Sequence, residues 1–290
     1  MAEKTRRLPR YGRVKNPLPM RFTDRDQRIL EAIYAYDGML SFSQIQRLFF
    51  TGKSQAELRM RLLYHNGYVE RPNEAQRRHV PEMIYWLGRK GAEVVASLNS
   101  TTTKSLGWRK EPRWFQVEHD IAVNNFRLDI EEACRDHPEI RLQAWTPESD
   151  FLAFHDKVEY RYGDNTLRRY IRPDGFFMLL AGGHRIRYLL EIDRSTEDNP
   201  RFLREKVLPG LAYIKSKAYE ERFGHRTGRW LVVTTSERRM GNMLTQARLG
   251  DAKGYFYFTT FDQVNKETIL EAPIWRRVDR DEQMPLVFLD

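Results

Sequence analysis

Between residues 22 and 98 the apolar positions recur three and four apart: Ile29, Leu30 and Ile33, then Ile45, Leu48 and Phe49, then Leu58, Leu62 and Leu63. That spacing places each set on one face of an α-helix and predicts three short amphipathic helices. Each set follows a start signal. Thr23 stands three before Asp26, Ser41 three before Gln44 and Ser54 three before Glu57. In such a capping box the hydroxyl accepts an amide hydrogen of the first turn and the third residue reaches back, so a helix is expected to begin at each. The pattern then changes to a short strand at 68–69, a basic polar loop at 72–81 and a returning strand at 83–87.

Three helices followed by a basic hairpin predict a winged helix-turn-helix over 22–98. In that arrangement the third helix enters the DNA major groove and the wing follows the backbone. Lys53, Gln55, Arg59 and Arg61 on the third helix, with Arg77 and Arg78 on the wing, are the expected contacts to double-stranded DNA. The alternative is that these are solvated charges of a protein-binding module. "TGKS" at 51–54 is no phosphate-binding loop, because such a loop needs glycine five residues before the Gly-Lys pair and Arg47 stands there.

Residues 1–21 carry seven Lys and Arg among prolines with no apolar period and read as a flexible basic arm. Residues 99–112, polar and Thr-rich, read as a linker. From 113 to 290 a different pattern predicts a second, α/β domain. A long helix covers 114–136, a strand 140–145, an irregular polar insertion 151–169, and two strands 171–180 and 185–194 flank Gly182-Gly183. Asn199 before Pro200 opens a helix. A buried strand at 229–235, a helix opened by Ser236 and a strand at 255–259 follow. The core order is helix, three strands, helix, strand.

Three carboxylates interrupt the apolar strands: Asp174 near the start of one, Glu191 and Asp193 near the end of the next. Residues i and i+2 of a strand share a face, so Glu191 and Asp193 are expected on one side with Asp174 approaching from the neighbouring strand. Clustered carboxylate oxygens suit Mg²⁺ or Mn²⁺, which would activate water and offset charge on a phosphoryl group. Glu148, Glu118 and Asp120 are further acidic candidates. The alternative is an ion network with arginines such as Arg172, Arg187 or Arg194.

Charge sharpens the division. Residues 1–112 hold 21 Lys and Arg against 11 Asp and Glu, leaving 28 against 29 for the rest. A basic front joined to a neutral body fits a polyanion-binding module attached to something else. Cys134 is the single cysteine, which excludes a disulfide framework or a cysteine zinc site within one chain. No apolar run is long enough to cross a bilayer, so a soluble, cytoplasmic protein is expected.

The second domain resembles the PD-(D/E)xK nuclease superfamily, whose core has this αβββαβ order, with Pro173-Asp174 and Glu191-Ile192-Asp193 as the matching residues. The departure is Asp193, which stands where the superfamily has lysine. Lys206, in the following helix, would supply the ammonium, giving Asp174, Glu191, Asp193 and Lys206 as the implied catalytic set. Across residues 22–275 the chain also resembles the replication-relaxation proteins of plasmids, integrative elements and phages. That likeness is carried by "FTDRDQRILEAIYAYDGMLSFSQIQRLFF", "LRMRLLYHNGYVERP", "VEHDIAVNNFRLDI", "WTPES", "RPDGFF", "LLEIDRSTED" and "PIW". It implies sequence-directed DNA binding in plasmid replication or mobilisation, alongside other replication or mobilisation proteins. An active metal-dependent endonuclease, or an adaptor with a degenerate nuclease fold, are the alternatives. The seven histidines include no pair separated by a single apolar residue, so a histidine-type nicking site is not expected.

Overall fold

The computed structural model describes residues 9, 11–194 and 199–288. Residues 1–8 and 10 of the basic arm, and 195–198 of the acidic motif, lie outside the described residues. The chain is mixed α+β and divides into two compact units, Met1–Asn124 and Asn125–Asp290.

The first unit runs α1 (Asp24–Ala35), β1 (Met39–Ser41), α2 (Phe42–Phe49), α3 (Lys53–His65), β2 (Val69–Glu70), a one-turn α4 (Glu74–Arg77), β3 (Ile84–Leu87) and α5 (Arg89–Leu98). It also contains the first turns of α6 (Val117–Asp136). Its antiparallel sheet has the order β1-β3-β2. Two of the three expected caps form. The Asp26 carboxylate accepts the Thr23 N–H at 2.7 Å, while Ser41 N–H donates to Gln44 Oε1 at 2.9 Å and Gln44 N–H to Ser41 Oγ at 3.3 Å.

The third cap does not form. Helix α3 begins at Lys53 with Gly52 as its cap, so Ser54 lies inside the first turn. Glycine at that position costs only a few tenths of a kcal/mol relative to Ser. The buried face of α3 is also rotated from the expected stripe. Ala56, Met60 and Leu63 are fully buried, whereas Leu58 is 50% exposed. Both stripes satisfy helical spacing, and the unit's core selects the one containing Ala56 and Met60.

Residues 99–112 pack within this unit: Trp86 Nε1 donates to Lys110 O at 2.8 Å and Trp108 Nε1 to Leu87 O at 2.9 Å. The described part of the arm is anchored too. Arg13 donates to Tyr64 O at 2.7 Å and Val69 O at 2.9 Å, and pairs with Glu70 at 2.9 Å.

The second unit contains the rest of α6, then β4 (Ile140–Pro147), α7 (Glu148–Ala153), β5 (Asp156–Tyr162), β6 (Asn165–Ile171), β7 (Gly175–Ala181) and β8 (His184–Ile192). Next come α8 (Asn199–Phe202), a π-helical turn (Leu203–Val207), α9 (Leu208–Ile214), α10 (Lys217–Phe223) and β9 (Arg229–Thr234). The unit ends with α11 (Glu237–Leu249), β10 (Phe256–Thr260), β11 (Trp275–Arg277) and β12 (Gln283–Met284). The seven-stranded sheet has the order β12-β11-β10-β9-β8-β7-β4. Strand β7 is antiparallel to β4 and β8, and β8, β9 and β10 run parallel.

Strands β7 and β8 join through Gly182 and Gly183, both at positive φ (54° and 79°), as a two-residue hairpin turn requires. The stretch expected to be an irregular insertion is regular: α7 and then the paired hairpin β5-β6. Val158, Tyr160 and Ile171 are its buried positions, and the charges alternating with them mask a strand period. Ile171 therefore ends the hairpin, and the next sheet strand starts at Gly175. On one sheet face Phe176, Leu189, Val232 and Phe258 pack with Phe202, Val207, Leu211, Met240 and Leu244 from the helices. On the other, Phe177 meets Phe126 of α6 at 5.8 Å between ring centroids.

Candidate functional site

The three carboxylates singled out in the sequence gather at one end of β7 and β8, and all are buried: Asp174 is 7% exposed, Glu191 8% and Asp193 8%. Leu189 belongs to the helix-packed core, so alternation along β8 turns Glu191 toward the helical layer. There Lys206 Nζ lies 2.6 Å from Glu191 Oε1. Lys206 sits in the π-helical turn, a local widening often found at functional sites because it redirects side chains out of the regular helical spacing. Asp174 brackets Glu191 from the adjoining strand. Its N–H donates to Leu190 O at 2.9 Å, and its Oδ2 accepts the Ile192 N–H at 2.6 Å.

Asp193 is held differently. Arg239 of α11 donates Nε to Oδ2 and Nη2 to Oδ1, both at 3.0 Å, and Thr234 Oγ1 donates to Oδ2 at 2.5 Å. A bidentate guanidinium plus a hydroxyl engages both oxygens. The structure thus pairs Lys206 with Glu191, ties Asp174 to the backbone of the same strand end at Ile192, and turns Asp193 to Arg239, a partner that sequence reasoning missed because it lies 46 residues away. Among the described residues, the one set of three His, Cys or acidic side chains whose ligand atoms all lie within 4.8 Å is His137, Glu139 and Glu271. Asp120 is taken up by Arg113, whose Nη2 donates to it at 2.9 Å, and Glu148 opens α7.

Beside Lys206, Glu205 accepts from Arg169 at 2.7 Å and Arg204 at 2.9 Å, and pairs with Arg201 at 3.1 Å. Burial pushes its carboxyl up, but the bonds from Arg204, Arg201 and Arg169 outweigh that and hold it down at about 2.

In the first unit Lys53, Gln55 and Arg61 are exposed on α3, as is Arg78 after α4. Arg59 is not presented in the same way: it forms an ion pair with fully buried Asp26 and donates Nη2 to Arg21 O at 2.8 Å. Burial raises the Asp26 carboxyl, but Arg59 and Thr23 reverse this and lower it. Arg77 donates Nη1 to Val80 O at 2.8 Å and so closes its own loop.

The replication-relaxation family matches residues 30–225, more than half of the chain. The chain belongs to that family. The match covers α2, α3 and the hairpin of the first unit, together with Asp174, Glu191, Asp193 and Lys206 of the second. Replication-relaxation membership connects the chain with plasmid replication or mobilisation. No curated protein matches it. Among the described residues, no helix is long and apolar enough to cross a membrane.

Proposed function

We propose that this replication-relaxation protein is a sequence-directed double-stranded DNA-binding protein of a mobile element, with its first unit a winged helix-turn-helix. The carrying observation is the order α1-β1-α2-α3-β2-α4-β3 with a three-stranded antiparallel sheet and an α3 that leaves Lys53, Ser54, Gln55, Glu57, Leu58 and Arg61 exposed. Such a face offers charge for phosphates, an amide for base edges and an apolar tip for a thymine methyl. Lys53→Ala, Gln55→Ala and Arg61→Ala together are expected to weaken binding to a duplex selected from a random pool and to reduce its salt dependence by roughly 0.9 in log–log slope for each phosphate no longer neutralised. Arg59→Ala is expected to act through stability, because it removes the partner of buried Asp26. Unchanged affinity and slope in the triple variant would sink this reading.

A second reading, metal-dependent DNA cleavage by a nuclease-like second unit, is favoured by the Lys206–Glu191 pairing at 2.6 Å. The sheet order β4-β7-β8-β9, with its first two pairings antiparallel and its third parallel, agrees with the αβββαβ core. Two hard carboxylates suit Mg²⁺ or Mn²⁺, so Asp174 and Glu191 would hold the ion, which supplies Lewis acidity and an activated water when bound. Lys206 would supply the ammonium that the superfamily's missing lysine provides, and Asp193 holds the strand end through Arg239. Cleavage of supercoiled plasmid that depends on Mg²⁺ or Mn²⁺ and is lost in Asp174→Asn/Glu191→Gln tests it. A plasmid left intact by the wild type assigns the second unit a binding role only.

A further inference from the structure

At the end of the sheet opposite the carboxylates, the second unit carries arginines. Register sets Arg141 of β4 beside Leu180 of β7 and Leu180 beside Arg185 of β8, so these three side chains share one face. Arg187, two residues further along β8 and opposite Met178, lies on the same face. Met178 packs against the helical core, which identifies this as the helix-packed side of the sheet. Beyond the arginines Gly182 and Gly183 are exposed and bear no side chains, so the hairpin end stays open.

Arg187 is the unusual member. It is 9% exposed, its Nε is buried with no hydrogen-bond partner, and its Nη1 donates to Arg185 O at 3.3 Å. It lies within electrostatic reach of fully buried Tyr219 of α10, whose hydroxyl donates instead to Thr227 O at 3.0 Å. Among the described residues none of Arg141, Arg185 and Arg187 forms an ion pair. Glu139, close to Arg141 in sequence, turns to His137 at 3.3 Å, and Glu220, beside Tyr219 on α10, pairs with Arg226 at 2.9 Å. A buried guanidinium that meets no carboxylate carries a desolvation cost that a bound anion would offset.

Spacing narrows the choice of anion. Arg141 and Arg185 stand two strands apart, roughly 10 Å, and Arg185 and Arg187 two residues apart, roughly 7 Å. Planar guanidinium forks set at such intervals on one sheet face suit a row of phosphate groups. Family membership connects the chain with plasmid replication or mobilisation, and DNA is the polyanion of those processes.

We infer that Arg141, Arg185 and Arg187 form a binding site for the phosphodiester backbone of duplex DNA, with the recessed Arg187 receiving one phosphate and the two exposed arginines holding its neighbours. The inference rests on the DNA-binding reading and gives the second unit its own contact with the duplex, at the sheet end away from Asp174 and Glu191.

The test uses the full chain, with a short duplex and inorganic phosphate as separate probes. Arg141→Ala/Arg185→Ala is expected to weaken duplex binding and to lower the log–log salt slope by about 1.8, from two phosphates left unneutralised at about 0.9 each. The lysine counterparts keep the charge and should retain most of the slope. Arg187→Met keeps an apolar stem and removes the charge, so the slope should fall by about 0.9. In chloride buffer this variant should melt no lower than wild type, because no ion pair is lost, and inorganic phosphate should raise its melting temperature less than that of wild type. An unchanged slope in the double-alanine variant overturns the site, as does an Arg187→Met variant that melts well below wild type in chloride. Phosphate-dependent stabilisation of a wild type that binds no duplex overturns the DNA assignment and leaves a site for free phosphate. Repeating the slopes in the Lys53→Ala/Gln55→Ala/Arg61→Ala background separates the two readings: failure of the α3 reading leaves the affinity of that background at the wild-type value, whereas failure of this site leaves the slope unmoved by the arginine changes.

Discussion

Glu191 and Asp193 are two residues apart at the end of one strand and equally buried, yet the regions around them differ in kind. Asp193 is enclosed: a planar guanidinium meets both its oxygens, a threonine hydroxyl adds a third bond, and its own N–H is fixed to Val233 O at 2.8 Å. Glu191 meets Lys206, a compact charge on a flexible stem carried by a π-helical turn. A guanidinium fork fixes a carboxylate geometrically, whereas an ammonium shifts readily when another cation or a phosphate arrives. Acidity and burial alone therefore do not mark a functional carboxylate. On the proposed metal reading the partner would mark one, separating a clasp between β8, β9 and α11 from an ion pair that opens to another ligand.

The largest expected effect breaks that clasp. Asp193→Ala removes the carboxylate that both arms of Arg239 meet, and Arg239 is only 12% exposed. Loss of one member of a buried pair is expected to cost about 3–5 kcal/mol, readable as a lowered denaturation midpoint. Glu191→Gln should cost far less, because Lys206 is 25% exposed and can turn toward water. Equal losses in the two variants would mean that Glu191 is a clasp as well.

The next effect sharpens the other side. If Asp174 and Glu191 hold Mg²⁺ or Mn²⁺, the ion at a hundredfold its dissociation constant should stabilise the fold by about 2.7 kcal/mol. The rise in melting temperature should vanish in Asp174→Asn/Glu191→Gln and survive in Arg239→Lys, which retains a cation beside Asp193. A wild type with no metal-dependent rise would make the whole strand end structural.

The two regions also differ in how far the sequence reveals them. The β7-β8 hairpin is legible because a Gly-Gly turn sits between apolar runs. The approach of Lys206 to Glu191 is legible because the helix after β8 packs back over the sheet. Arg239 is hidden, since its pairing depends on β9 lying parallel to β8 and on the direction in which α11 leaves it. The Glu205 cluster is hidden for a similar reason: Arg169 arrives on a hairpin whose alternating charges disguise its strands. In the first unit, Thr23 and Ser41 mark their helices correctly, but α3 carries two apolar stripes at helical spacing. Only packing chooses Ala56 and Met60 over Leu58, and only packing commits Arg59 to Asp26.

The smallest expected effect probes whether the two regions are independent. Thr234 Oγ1 donates to Asp193 Oδ2 at 2.5 Å, and Thr234 is itself fully buried. Thr234→Val preserves the shape of the side chain and removes the hydroxyl, while Arg239 continues to satisfy both carboxylate oxygens. A hydrogen bond to a charged group is worth about 1.5–3 kcal/mol, and the lower end applies because the carboxylate retains its bidentate partner. A loss of about 1.5 kcal/mol of stability, read from the denaturation midpoint, is therefore expected, below that of Asp193→Ala. The metal-dependent rise in melting temperature should be unchanged, since neither Asp174 nor Glu191 is touched. Loss of that rise in Thr234→Val would show that freeing one oxygen of Asp193 reorganises the metal ligands. Asp193 would then belong to the same site as Glu191, and the distinction between clasp and exchangeable site would fail.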